Sequence, residues 1–158
     1  MSKVAFRKRA LSSFFWLYLF KKLPLAFLAG VKVNKLDDVQ CETLIRFRWI
    51  NQNPFKSIYF AAMHMAAELS TGLLLIQHMN RDTRFSMLLV ETSARFEKKA
   101  VGRVLFNCPK AQEVEKHIAS VMNNSEGYTI VLPVTATNSK GENVAYFNYT
   151  WSCKKRSA

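Results

Sequence analysis

Glu68 is the residue of this chain with the most chemistry open to it. It stands near the middle of residues 51–79, NQNPFKSIYFAAMHMAAELSTGLLLIQHM, a stretch that is apolar almost all round. A helix without a polar face is normally buried, and a carboxylate is rarely buried without a partner or a task. Withdrawal from water raises a carboxyl pKa toward neutrality, where a general base works. His64 lies four residues before Glu68 and Thr71 three after, so all three share one helix stripe. There His64 is spaced to hydrogen-bond and tune the carboxylate, and Thr71 to hold a water. Each also has a packing role open to it: Glu68 as a structural carboxylate beside a basic or hydroxyl partner, His64 and Thr71 as satisfied interior side chains. Two such ligands without an H-E-x-x-H pattern do not make a metal site, and none is expected.

The elements that must position these residues follow from the pattern of the chain. Residues 57–79 read as one long helix, with Pro54 marking the loop before it and Ser57 as its N-cap. Residues 39–49 alternate: Val39, Cys41, Thr43, Ile45, Phe47 and Trp49 face one way, Gln40, Glu42, Arg46 and Arg48 the other, as in a half-buried strand. Residues 30–36 are its hairpin partner, turning at Asp37-Asp38. Residues 80–84 form a break; 85–96 and 100–107 read as strands and 109–124 as a short helix. Residues 128–137 and 143–154 are two further strands around an Asn138-Ser139-Lys140-Gly141 turn. One long helix against an antiparallel sheet makes an α+β fold.

Length and composition set the outer limits. The 158 residues suit one domain with a real core, and 49% apolar with 22% charged residues is ordinary globular composition. The 13% aromatic content, with 12 Phe, points to a generous core or an apolar ligand site. The 23 basic and 11 acidic residues give +12, which favours polyanions: nucleic acid, anionic membrane, phosphorylated cofactors or acidic carrier proteins. No nucleic-acid-binding motif is present, so nucleic acid is not expected as a partner. Cys41, Cys108 and Cys153 are far apart and odd in number, which reads as reduced thiols in a cytoplasmic protein. The apolar run near the N-terminus is too short to span a bilayer, and Lys21, Lys22 and Pro24 follow where a signal peptide needs small residues. Residues 4–20 therefore read as an amphipathic helix. Packing on the core is its expected fate, and a membrane surface is the alternative open to a basic amphipathic helix.

The element order, together with residues 53–76, resembles the hotdog-fold thioesterases. Within them it is similar to the phenylacetyl-CoA-type branch and its uncharacterised bacterial relatives. That branch reads N-x-x-G-x-x-H-G-G at the loop and helix start, then an acidic residue in an A-D-x-x-x-G pattern. Here Asn53 stands at the family Asn, Tyr59-Phe60-Ala61 at His-Gly-Gly, Glu68 at the helix carboxylate and Gly72 at the helix Gly. Ser93-Ala94-Arg95-Phe96 sits where the family has a strand ending in Phe. The resemblance spans residues 30–152, its specific part about two dozen residues.

The resemblance implies a single hotdog domain over residues 1–158, with a helical segment at 1–29 and the core at 30–154. It implies hydrolysis of an acyl-CoA or acyl-carrier-protein thioester, with Glu68 as general base or nucleophile. The N–H groups of Tyr59, Phe60 and Ala61 at the helix start, with the Asn53 amide nearby, would polarise the carbonyl. Lys98, Lys99 and Arg103 follow the strand bordering the family's substrate tunnel and are candidates for coenzyme A phosphates or an acidic carrier protein. Coenzyme A enters only as part of the substrate, and no cofactor is expected. The family implies a homodimer or dimer of dimers in which Asn53 and Glu68 meet across subunits. A non-catalytic acyl-CoA or lipid-binding module is the alternative, motivated by the Tyr59-Phe60-Ala61 replacement.

Overall fold

The computed structural model describes residues 2–79, 84–124 and 127–156. Three short helices come first: α1 (Lys3–Ala10), α2 (Phe15–Lys22) and α3 (Pro24–Ala29). Strands β1 (Lys32–Leu36) and β2 (Cys41–Arg46) lead through a 3₁₀ turn at Trp49–Asn51 to the central helix α4 (Phe60–Ile76). Then follow β3 (Phe85–Phe96), β4 (Arg103–Cys108), α5 (Ala111–Asn123), β5 (Tyr128–Asn138) and β6 (Asn143–Lys155). The strands form one six-stranded sheet in the order β1-β2-β4-β5-β6-β3, antiparallel throughout. The sheet wraps α4, giving the α+β hotdog arrangement.

The wrapping follows from side-chain size. Ala62, Ala66, Ala67 and Gly72 let the helix lie close to the strands, while Met63, Leu73, Leu74 and Leu75 fill the space beyond. Thr43 on β2 donates its hydroxyl to the Ala66 carbonyl at 2.6 Å, a sheet-to-helix bond inside the core. The β2 alternation buries Cys41, Thr43 and Ile45 fully. It stops short of the expected end, because Asn51 donates to the carbonyls of Arg46 (2.8 Å) and Ala29 (2.9 Å) and accepts the Arg48 amide. These bonds curl the chain into the 3₁₀ turn and leave Trp49 80% exposed. At the other expected turn, Asp37 accepts the amides of Val39 and Gln40, both at 2.8 Å. Asn138 likewise accepts those of Lys140 and Glu142 in the β5–β6 hairpin, with Gly141 in the left-handed region.

Two expected helices differ. The helix expected over residues 4–20 is two helices, α1 and α2, and a third, α3, follows it. Ser12 donates its hydroxyl to the Arg9 carbonyl at 2.8 Å, a local bond that competes with helix continuation and ends α1. The residue before a proline is kept out of the helical region, so Leu23 (φ −138°, ψ 62°) separates α2 from α3. The central helix begins at Phe60, and Ser57 does not cap it. The Ser57 amide and hydroxyl are both held by Asn53, the Ile58 amide goes to Ala100 and that of Tyr59 to Asn51. The helix ends at Ile76 rather than Met79. Of the expected break at residues 80–84, all but Arg84 lies outside the described residues.

Candidate functional site

Glu68 lies on the outer stripe of α4, not in its buried interior. Ala67 and Leu69 beside it are buried, yet its own side chain reaches solvent. The helix reads as apolar almost all round because its outer arc carries Phe60, Ala61 and Met65 beside His64, none of them fully covered in the single chain. The Glu68 carboxyl faces a groove of about 470 Å³ between α4 and the α2–α3 segment. Met65, Leu69 and Gly72 of α4 form one wall, Tyr18 and Leu25 another, and Trp151 of β6 the floor. Gly72 keeps the groove open one turn beyond Glu68: a Cβ there would stand 3.9 Å from the Trp151 ring. Apolar surroundings raise the Glu68 carboxyl above its ordinary value by desolvation, even though solvent reaches it. Among the described residues it has no hydrogen-bond or ion-pair partner for its carboxylate. Of the two roles open to it, the structural one lacks the partner it requires.

His64 and Thr71 are occupied elsewhere. The His64 Nδ1 lies 2.9 Å from the Tyr149 hydroxyl, which donates onward to the His64 carbonyl at 3.2 Å. Phe96 and Phe147 pack edge-on against the imidazole, and desolvation lowers its pKa, favouring the neutral ring. The Tyr149 phenol is raised, first by burial and then by the Glu68 charge, with its bond to Thr92 opposing. Among the described residues His64 makes no hydrogen bond to the Glu68 carboxylate. Thr71 is buried; its hydroxyl donates to the Glu68 carbonyl at 2.8 Å and accepts the Trp151 indole N–H at 3.0 Å. Both bonds tie it to the groove floor.

The remaining candidates fall in other places. Asn53 is buried, and its amide organises the loop before α4: Oδ1 accepts from the amides of Phe55 (3.0 Å) and Ser57 (3.2 Å), and Nδ2 reaches the Ser57 hydroxyl (3.0 Å). It lines a separate cavity of about 220 Å³ with Phe60, Phe96, Lys98 and Lys99. Within one chain Asn53 and Glu68 thus face different cavities. Phe60 stacks on Phe96 with centroids 4.3 Å apart. The Tyr59 side chain is exposed, but its N–H is committed to the Asn51 carbonyl at 2.8 Å, which removes it from the expected set of carbonyl-polarising donors. Those of Phe60 and Ala61 precede the first helical bond, made by the Met63 amide to Tyr59 at 3.1 Å, and remain at the positive end of the helix. Lys98 pairs with Glu142 at 2.7 Å, and Lys99 donates to the Phe55 carbonyl at 3.4 Å. Arg103 starts β4 opposite Arg46 and does not line that cavity, which separates it from the two lysines. Sequence reasoning missed Trp151, Tyr149 and Tyr18. Their positions in alternating or amphipathic segments read as core, and only the fold brings them to Glu68.

The fold recurs in solved structures. A Pseudomonas aeruginosa protein of unknown function, described as a probable thioesterase, matches with TM-score 0.78 at 18% identity over 99% of this chain and 97% of that one. A mutant thioesterase, also from Pseudomonas aeruginosa, gives 0.69 at 13% identity over 89% and 92%. A thioesterase from Haemophilus influenzae gives 0.65 at 10% identity over 87% of each chain. No curated protein matches the sequence. Residues 12–153 match the family described as a domain of unknown function, DUF4442, and the chain belongs to that family.

Proposed function

We propose that the protein hydrolyses acyl thioesters in the groove beside Glu68. The observation that carries this reading is the position of Glu68: a partnerless carboxylate, raised by desolvation, on the wall of an apolar groove with room for an acyl chain. As general base it takes a proton from water while the water oxygen bonds to the thioester carbonyl carbon. The tetrahedral oxyanion then collapses with cleavage of the C–S bond, and the thiolate leaves and is protonated. As nucleophile Glu68 would instead form an anhydride that water opens; oxygen-18 from labelled water in the carboxylate after one turnover identifies that route. The helix-start amides of Phe60 and Ala61 are the oxyanion donors in this reading, and Asn53 holds the loop that aims them. Because Asn53 and Phe60 line a different cavity of one chain from Glu68, a complete site in this reading requires a homodimer that brings one protomer's helix start to the partner's groove. Lys98 and Lys99 beside the smaller cavity are the contacts for coenzyme A phosphates or an acidic carrier protein. The Asn53 and Glu68 register supports the phenylacetyl-CoA-type branch. The buried thiols of Cys41, Cys108 and Cys153 suit the cytoplasm.

One observation favours a second reading. The Tyr59 amide is engaged and Phe60 fills the helix start with a ring stacked on Phe96, where the resembling family has glycines. An acyl-CoA-binding module without turnover would tolerate this. Thiol release from a panel of acyl-CoAs, compared between wild type and Glu68→Gln, decides. Turnover that collapses in a folded Glu68→Gln protein supports hydrolysis. Binding without thiol release in wild type gives the protein to the second reading.

A further inference from the structure

The helical segment ahead of β1 leaves more apolar surface exposed than its packing requires. On α2, Phe15 and Leu19 turn inward and are buried. The opposite arc carries Leu17, with Phe20 and Trp16 to one side and Phe14 and Lys21 to the other. Phe14 is 70% exposed and Phe20 55%. On α3, Ala26 and Ala29 pack inward while Leu25, at 66%, and Leu28 face out. Trp16 and Phe20 both lean on Phe27, with centroids 6.1 and 5.4 Å away, so the α2–α3 hairpin shows one continuous apolar face. Single exposed apolar residues are normal on a protein surface, whereas a contiguous face marks an interaction site.

Charge identifies the occupant. No acidic residue precedes Asp37, and eight basic ones do. Lys3 and Arg7 are paired with Asp38, and Lys35 with Asp37. Lys8, Arg9, Lys21 and Lys22 are exposed and have no ion pair among the described residues. Aromatic and leucine side chains carried on one segment with the free Lys21 and Lys22 match the interfacial zone of an anionic bilayer. A second copy on the same face would set cations against cations. Among the described residues no helix is long and apolar enough to cross a membrane. The contact is therefore peripheral.

We propose that the outer face of the α2–α3 hairpin docks on a bilayer containing anionic phospholipid. Lys22, Leu23, Pro24 and Leu25 belong both to this segment and to the rim of the Glu68 groove. Docking thus sets the mouth of the groove at the lipid surface, where long-chain amphiphiles partition. The contact goes beyond the hydrolytic reading and does not depend on it.

Co-sedimentation of the full chain with two kinds of vesicle tests this: phosphatidylcholine alone, and phosphatidylcholine with about 30 mol % phosphatidylglycerol. The protein is expected to sediment with the anionic vesicles only, and to be released as salt rises from about 0.1 to 0.5 M. Lys21→Ala/Lys22→Ala lowers partitioning about thirty-fold, at the usual contribution per basic residue near an anionic surface. Phe14→Ser/Leu17→Ser/Phe20→Ser lowers it more than about ten-fold with only a small fall in melting temperature, since all three side chains are exposed and only Phe20 touches a ring that packs on the core. Failure of the wild type to bind anionic vesicles overturns the proposal. So does binding that both variants retain. A wild-type dimer that the triple variant breaks, with no vesicle binding by either, assigns the face to a second copy and overturns it equally.

Discussion

Thr71→Val separates a side chain that holds the groove from one that holds a water. The Thr71 hydroxyl accepts the Trp151 indole N–H at 3.0 Å and donates to the Glu68 carbonyl at 2.8 Å. Thr71 is fully buried and Trp151 is 6% exposed. Valine keeps the volume, so no cavity opens, and its helix propensity is close to that of threonine. The Glu68 carbonyl keeps its place in the helix ladder. What is lost is the indole's acceptor, and a buried donor left without one costs about 1–3 kcal/mol. Near the middle of that range, about 2 kcal/mol, the melting temperature falls by about 4–8 °C for a chain of this size. Urea unfolding, followed by near-ultraviolet circular dichroism, measures the loss. Trp151→Phe removes the N–H altogether. On that background Thr71→Val is expected to cost less than about 0.5 kcal/mol, and the shortfall is the coupling energy. A Thr71→Val protein as stable as wild type, or an equal cost on both backgrounds, refutes the assignment. Unchanged stability with a large fall in thiol release would return Thr71 to holding the water.

Burial raises the folded-state Glu68 carboxyl above the 4.5 of an ordinary glutamate. The stability this group contributes is then complete below about pH 4.5 and is lost as pH rises through the folded value. Glu68→Gln is accordingly more stable than wild type at pH 7–8, and the gap in melting temperature closes toward pH 4; a gap constant from pH 4 to 8 contradicts the desolvation. Asn53→Ala frees the loop amides of Phe55 and Ser57 and is expected to cost about 1–3 kcal/mol, read as a shift in denaturation midpoint even if the protein has no turnover. At Gly72 an added Cβ meets the Trp151 ring only at ordinary contact distance. Gly72→Ala therefore gains up to about 1 kcal/mol of helix stability with ligand binding retained. Gly72→Leu fills the groove, and calorimetry should show acyl-CoA binding abolished.

The strands and the central helix were legible because their signals are periodic and local. The alternation of Cys41, Thr43 and Ile45 is a property of the sequence and survives intact in the buried face of β2. The Asp37 and Asn138 turns are equally local, since each side chain bonds amides two to four residues on. Element ends were misjudged wherever a polar side chain took a main-chain group that the regular pattern would have used. Ser12 ends α1, Asn51 curls the chain after β2, and Asn53 delays α4 from Ser57 to Phe60. Each bond is favourable by only about 1 kcal/mol, comparable with the propensity differences that define a helix end, so periodicity could not have ranked them.

The site divides along the same line. That Glu68 was exceptional followed from its setting in the sequence, but its surroundings did not. His64 and Thr71 share its helix stripe, and spacing made them its natural partners. Spacing along a helix says which side chains are neighbours, not which way a hydrogen bond turns. Tyr149 and Trp151, some eighty residues later on β6, offer buried partners at 2.9 and 3.0 Å. A buried donor or acceptor left unpaired costs more than a second bond to an already solvated carboxylate returns. The polar atoms of His64 and Thr71 therefore turn to the sheet, and that choice leaves the Glu68 carboxylate without a neighbour's hydrogen bond. In the proposed hydrolysis a base must keep its lone pairs available, and the interactions that removed the expected partners are what would leave Glu68 free for that role.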